Sequence, residues 1–135
     1  LTALADRPVD TLSGGQRQRA WLAFALAQNA PVMLLDEPTT YLDIAHQLEV
    51  LDLCRSLNQR QGKTLVMVLH DLNQAARYAD HIVALRDGKV QASGPPAEVI
   101  TPERVRGLFG IRCVVMADPV SGTPLVVPFS SAETD

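Results

Sequence analysis

Two short apolar runs constrain this chain most: Val32-Met33-Leu34-Leu35 and Thr64-Leu65-Val66-Met67-Val68-Leu69. The first ends in Asp36-Glu37-Pro38 and the second in His70-Asp71. With apolar residues at successive positions, both read as strands buried on both faces, as in a parallel sheet. Between them Asp43 can cap a helix with Ile44, Leu48, Leu51 and Leu57 on one face, stopped by Gln61-Gly62. Strand and helix then alternate, with polar residues gathered after each strand. That is the pattern of an open parallel α/β sheet, whose ligands bind beyond the carboxyl ends of the strands. The chemistry is therefore expected at Asp36, Glu37 and His70.

The flanks extend this pattern. Leu1 to Ala5 reads as the end of a helix, terminated by Asp6-Arg7-Pro8. Ser13 is a good N-cap for a helix from Gln16 to Asn29, with Leu22, Ala25, Leu26 and Asn29 at helical spacing and Pro31 as its breaker. Asp71 and Gln74 form a cap pair for a helix through Tyr78. Next comes a hairpin, His81 to Arg86 and Lys89 to Ala92 about an Asp87-Gly88 turn. Pro95 to Ile100 and Pro102 to Phe109 read as short helices. Arg112 to Met116 and Pro124 to Val127 read as a second hairpin, and 129–135 as a loose tail.

Composition narrows the class. The chain has 135 residues, 47% of them hydrophobic, enough for a packed core in one domain or part of one. A net charge of −3 carries no basic signature for nucleic acid. No apolar run is long enough to span a bilayer. The chain begins at Leu1 with no charged-then-apolar leader, which reads as an internal start without a signal peptide. Cys54 and Cys113 lie far apart with no CxxC spacing, and read as reduced core thiols.

Three stretches carry chemistry. Asp36, at a strand end, can reach a Mg²⁺ that bridges nucleotide phosphates. Glu37 beside it can hold or deprotonate an attacking water. His70, ending the second strand, can hydrogen-bond a γ-phosphate and that water. Leu12-Ser13-Gly14-Gly15-Gln16-Arg17-Gln18-Arg19 opens a helix with free N–H groups, glycines that admit a ligand, and a run of donors, all favouring an anion. Each stretch taken alone also fits an ordinary turn or cap.

Together, LSGGQ, then VMLLDEPTTYLD, then VLHD resemble the ATP-binding subunit of ABC transporters. The resemblance covers essentially the whole chain. It implies the C-terminal part of a P-loop NTPase (RecA-like) α/β core with parallel strands, followed by β-hairpins and short helices. Residues 1–11 would end the helical subdomain, 12–80 form the core, 81–128 the C-terminal hairpins and short helices, and 129–135 the tail. By this resemblance Ser13, Gly14, Gly15 and Gln16 are the signature, which binds a nucleotide held by a partner subunit. Asp36 (toward Mg²⁺) and Glu37 are Walker B, Leu42 and Asp43 belong to the D-loop, and His70 is the switch histidine.

The stretches from Thr39 to Gln47, Leu69 to Ala75 and Asp118 to Pro124 look like importers of ferric siderophores, haem and cobalamin, with siderophore favoured. Tyr41 in the D-loop is part of that likeness. The implied cofactors are ATP and Mg²⁺. The implied partners are a second ATPase copy, integral membrane permease subunits and, indirectly, a substrate-binding protein, with no nucleic acid. The implied place is the cytoplasmic face of the cell membrane, peripherally attached. Two rival readings are a soluble ABC ATPase of DNA repair or translation, and a truncated module that hydrolyses nothing.

The family's Walker A loop, GxxxxGK followed by Ser or Thr, is not found in the 135 residues. Gly62-Lys63-Thr64 imitates its end, but the position five residues before Gly62 is Leu57, not glycine. This GKT also follows a helix and leads into a strand, the reverse of a P-loop. It reads as a helix C-cap and a strand start. The chain is accordingly expected to be inactive by itself and to expose apolar sheet surface.

Overall fold

The computed structural model describes residues 4–131. The chain divides into two compact units, Leu1–Leu69 and His70–Asp135. The expected helix end at Leu1 to Ala5 falls mostly outside the described residues.

In the first unit a 3₁₀ turn, Val9–Thr11, leads to helix α1, Gly14–Ala27. Ser13 caps α1, and the helix begins two residues before Gln16. Asn29, expected inside the helix, lies beyond its C-cap Gln28 with a left-handed φ of 50°. Asparagine tolerates that conformation and suits a helix end. Strand β1, Val32–Asp36, pairs in parallel with β2, Thr64–Val68, with Asp36 opposite Val68. Helix α2, Ile44–Gln61, connects them and ends at Gly62, whose φ of 65° suits glycine.

The core of this unit is Leu22, Leu42, Val50 and Cys54, with Leu26, Leu35, Leu65 and Met67 packed against it. Two expectations are corrected here. The strands are not buried on both faces: Leu34 is 77% exposed, and Val32, Val66 and Val68 share its exposure. Alternation along a strand sends Met33 and Leu35 inward and Val32, Leu34 and Asp36 outward. The inward face of α2 is also shifted, to Val50, Leu51, Cys54 and Leu57, while Ile44 is 77% exposed and Leu48 is exposed. The first turn of α2 is spent on capping, and burial starts further along. Leu51 is fully buried. Its truncation to Ala is expected to cost about 2–5 kcal/mol.

In the second unit helix α3, Leu72–Tyr78, is followed by an antiparallel hairpin, β3 (Ile82–Arg86) and β4 (Lys89–Gly94). Its turn has Asp87 at φ 52° and Gly88 at φ 71°, the two positive values that a type I′ turn requires. Helices α4, Pro96–Val99, and α5, Pro102–Phe109, then lead to a second antiparallel hairpin, β5 (Ile111–Ala117) and β6 (Pro124–Ser131). β6 runs through Ser131, so residues 129–131 are strand rather than tail; the rest of that expected tail lies outside the described residues. The core joins Ala76 of α3 to Ile100, Val105, Cys113 and Val126. Among the described residues no helix is long and apolar enough to cross a membrane.

Candidate functional site

The site in the first unit is built on the carboxyl end of β1 and the start of α1. Asp36 is the last residue of β1, on the exposed side of the strand. Glu37 follows in a left-handed backbone conformation, φ 48°, uncommon for a residue with a Cβ. Its surroundings hold it there. The Thr40 hydroxyl donates to Glu37 Oε2 at 3.0 Å. The Glu37 carbonyl accepts from the Thr40 N–H at 3.1 Å and from Gln18 Nε2 at 3.4 Å. Gln18 comes from α1, so the signature helix is tied directly to the acidic turn.

The signature is held as tightly. The Ser13 Oγ accepts from the Gln16 N–H at 3.3 Å, and Gln16 Oε1 accepts from the Ser13 N–H at 3.1 Å. This capping box satisfies two main-chain donors around the helix start. The two glycines differ in purpose. A Cβ on Gly14 would meet open space, whereas one on Gly15 would lie 3.2 Å from Leu42 Cδ2. Gly15 therefore lets the signature approach the D-loop closely.

The D-loop is fixed from both sides. Gln47 Nε2 donates to the Leu42 carbonyl at 2.9 Å, and Asp43 Oδ1 caps α2 by accepting from the His46 N–H at 2.9 Å. The Asp43 carboxyl is held below its ordinary value by that N–H and by the His46 ring. Tyr41 has a left-handed φ of 63° and its side chain is 92% exposed.

The basic residues after the signature do not join an anion site in this arrangement. The Arg17 guanidinium donates to the Asp10 carbonyl at 3.3 Å, and Arg19 pairs with Glu49 at 3.6 Å. Both arginines of that stretch are thus engaged within the chain. Gly62-Lys63-Thr64 has the helix-cap and strand-start form. Lys63 is buried, and its Nζ donates to Asn29 Oδ1 at 2.8 Å and to the Ala30 carbonyl at 3.0 Å.

His70 opens the second unit, two residues beyond Val68 in the chain, and is exposed. Asp71 follows and caps α3, its Oδ1 accepting from the N–H groups of Asn73 at 2.8 Å and Gln74 at 2.9 Å. The structure thus gathers Asp36, Glu37, the signature and the D-loop in one unit and leaves His70 in the other, just before the cap of α3. Sequence reasoning missed Gln18 and Thr40. Both sit inside quoted motifs, but nothing in their spacing announces a bond to Glu37.

Asp36 offers hard oxygen ligands in an exposed position, the donor type that Mg²⁺ takes. No group of three or more His, Cys, Asp or Glu able to hold a metal occurs among the described residues. A cation here would need most of its ligands from elsewhere, and Mg²⁺ on nucleotide phosphates commonly obtains them so. Both thiols are buried and free, and burial pushes Cys54 up to about 11.

The ABC transporter family model matches residues 1–40. The chain is 60% identical over 128 residues to the ferric enterobactin transport ATP-binding protein FepC of Escherichia coli (strain K12), covering 95% of this chain and 47% of FepC. A solved structure of an inward-facing metal-chelate type ABC transporter superposes with a TM-score of 0.85 at 35% identity, covering 96% of this chain and 52% of that one. The ATP-binding cassette MJ0796, in a dimeric post-hydrolysis state bound to ADP and Pi, superposes with a TM-score of 0.66 at 40% identity, covering 70% and 40%. The chain thus spans about half the length of the relatives it matches. Over nearly all of its own length the chain is similar to ATP-binding proteins of ABC transporters.

Proposed function

We propose that an ATP-binding subunit containing this chain hydrolyses ATP as a dimer and drives import of a ferric siderophore. The observation that carries this reading is the tie of Glu37, at the end of β1, to both Thr40 and the signature-helix residue Gln18. Asp36 would hold Mg²⁺ that accompanies the nucleotide, and bound Mg²⁺ stabilises charge on the transferring phosphoryl group. Glu37 orients and deprotonates the attacking water, with its carboxylate steadied by Thr40. The exposed N-terminal end of α1, with Ser13, Gly14, Gly15 and Gln16, donates to the γ-phosphate of a nucleotide held by the other copy. Leu42 and Asp43 carry the D-loop between the two sites. His70 hydrogen-bonds the γ-phosphate of its own site.

The 135 residues supply no Walker A loop, so the phosphate cradle must come from outside them. The partners are a second ATP-binding subunit and membrane permease subunits, placing the protein at the inner face of the cell membrane. FepC's ferric enterobactin transport, at 60% identity, supports the cargo class. The test is Glu37→Gln in the full-length subunit. ATP binding should persist, turnover should fall by about 10² or more, and a nucleotide-locked dimer should accumulate in size-exclusion chromatography. Wild-type turnover in that variant would remove Glu37 from the chemistry.

A further inference from the structure

His70 is exposed and stands one residue before the N-cap of α3. Asp71, the next residue, is locked onto the first turn of α3 through two main-chain N–H groups. The helix is in turn fastened to the β5–β6 hairpin. Asn73 Oδ1 accepts from the Val126 N–H at 2.7 Å, and Asn73 Nδ2 donates to the Val126 carbonyl at 3.2 Å. Both main-chain groups of Val126 therefore face away from its β5 partner Val115, and the asparagine amide completes the outer edge of β6 as a further strand would. One turn on, Ala76 is fully buried against Val126 and Cys113, and Arg77 pairs with the buried Asp118 at the hairpin turn.

We propose that Asn73 is a positioning residue for His70: its amide clamps α3 to the β5–β6 hairpin and so fixes the imidazole's place. The proposal rests on the catalytic reading of His70 given above. It also gives the C-terminal hairpin a purpose, since β6 supplies the edge to which α3 is pinned. Asparagine suits the position because one planar group donates and accepts at once. Alanine loses both bonds, and serine can keep one.

The clamp predicts a split between chemistry and nucleotide binding. A misplacement of about 1 Å can cost on the order of 10² in rate. In the full-length subunit reconstituted with its permease, Asn73→Ala should lower kcat about tenfold or more, with the KM for ATP changed less than about twofold. Asn73→Ser should fall between wild type and Asn73→Ala, and it serves as the milder variant if Asn73→Ala folds poorly. Cys113→Ala removes core packing from the same unit without touching either Asn73 bond, and should lower the melting temperature with kcat nearly unchanged. The His70 ring resonances should shift or broaden in the Asn73 variants and not in Cys113→Ala.

Should the Asn73 variants match Cys113→Ala in kcat while His70→Ala abolishes turnover, the clamp is overturned and the role of His70 stands. Should His70→Ala itself turn over like wild type, the catalytic reading of His70 fails and the proposal with it.

Discussion

The Thr40 hydroxyl donates to Oε2 of Glu37 at 3.0 Å, across a turn in which Glu37 holds a φ of 48°. A left-handed backbone at a residue with a Cβ costs energy, and such strain persists where neighbours over-determine it. Thr40 and Gln18 are those neighbours. Thr40→Val keeps the shape of the side chain and removes the donor. The expected loss is about 1 kcal/mol of stability, the net worth of one hydrogen bond, read as a lower urea midpoint. In the full-length subunit turnover should fall while ATP affinity is kept. Unchanged kcat would mean that Glu37 is oriented without its hydroxyl partner.

Much of this arrangement was legible in the sequence, because its signals are local. Asp43 and Asp71 read as caps and cap their helices, and Asp87-Gly88 reads as a two-residue hairpin turn and forms one, of type I′. The parallel pairing of β1 and β2 follows from strand–helix–strand order. What could not be read depends on partners distant in sequence. Asn73 meets Val126 across 53 residues, and Lys63 meets Asn29 across 34. The apolar runs fit a strand buried on either one face or two, and only the packing shows that Leu34 faces outward. On α2 the expected Leu51 and Leu57 are buried, but spacing alone does not separate Ile44 and Leu48 from Val50 and Cys54, which fit a helical face equally well.

The second unit should lose stability in acid through Asp118. Its carboxyl is held down to about 2, first by the Arg77 guanidinium and then by the Val120 N–H. The folded value lies below the ordinary 3.8, so the native state takes up this proton less readily than the unfolded chain. The stabilisation is fully present above about pH 4 and drains away as the pH falls toward about 2. Thermal unfolding followed across that interval should show a falling midpoint. Asp118→Asn should start lower at neutral pH and show a flatter acid limb. Equal slopes in the two proteins would remove this pair as an acid-sensitive element.

The outward face of β1 and β2 should make the 135-residue polypeptide self-associate. Leu34, Val32, Val66 and Val68 form an exposed apolar strip on a sheet of two strands. Contiguous apolar surface and unpaired strand edges both favour association. Leu34→Lys adds charge at a side chain already 77% exposed, so it should leave the melting temperature nearly unchanged. Light scattering should show larger species for the wild-type polypeptide and a shift toward monomer for Leu34→Lys. A monodisperse wild-type monomer at the same concentration would show that the strip does not drive association.

Lys63 tests whether a motif fragment carries its usual chemistry. Its Nζ lies against Asn29 Oδ1 and the Ala30 carbonyl, and its side chain is 7% exposed. Those acceptors close the end of α1 and the entry to β1, so the ammonium acts as a structural donor rather than a phosphate ligand. Lys63→Met keeps the aliphatic stem and leaves both acceptors without this donor, at an expected cost of about 1–3 kcal/mol. In the full-length subunit the variant should melt earlier yet bind ATP within about twofold of wild type, whereas a lysine on the phosphates would lose a charge-assisted bond and far more affinity. An ATP affinity lowered about tenfold or more, with melting unchanged, would assign Lys63 to the nucleotide and overturn its structural role.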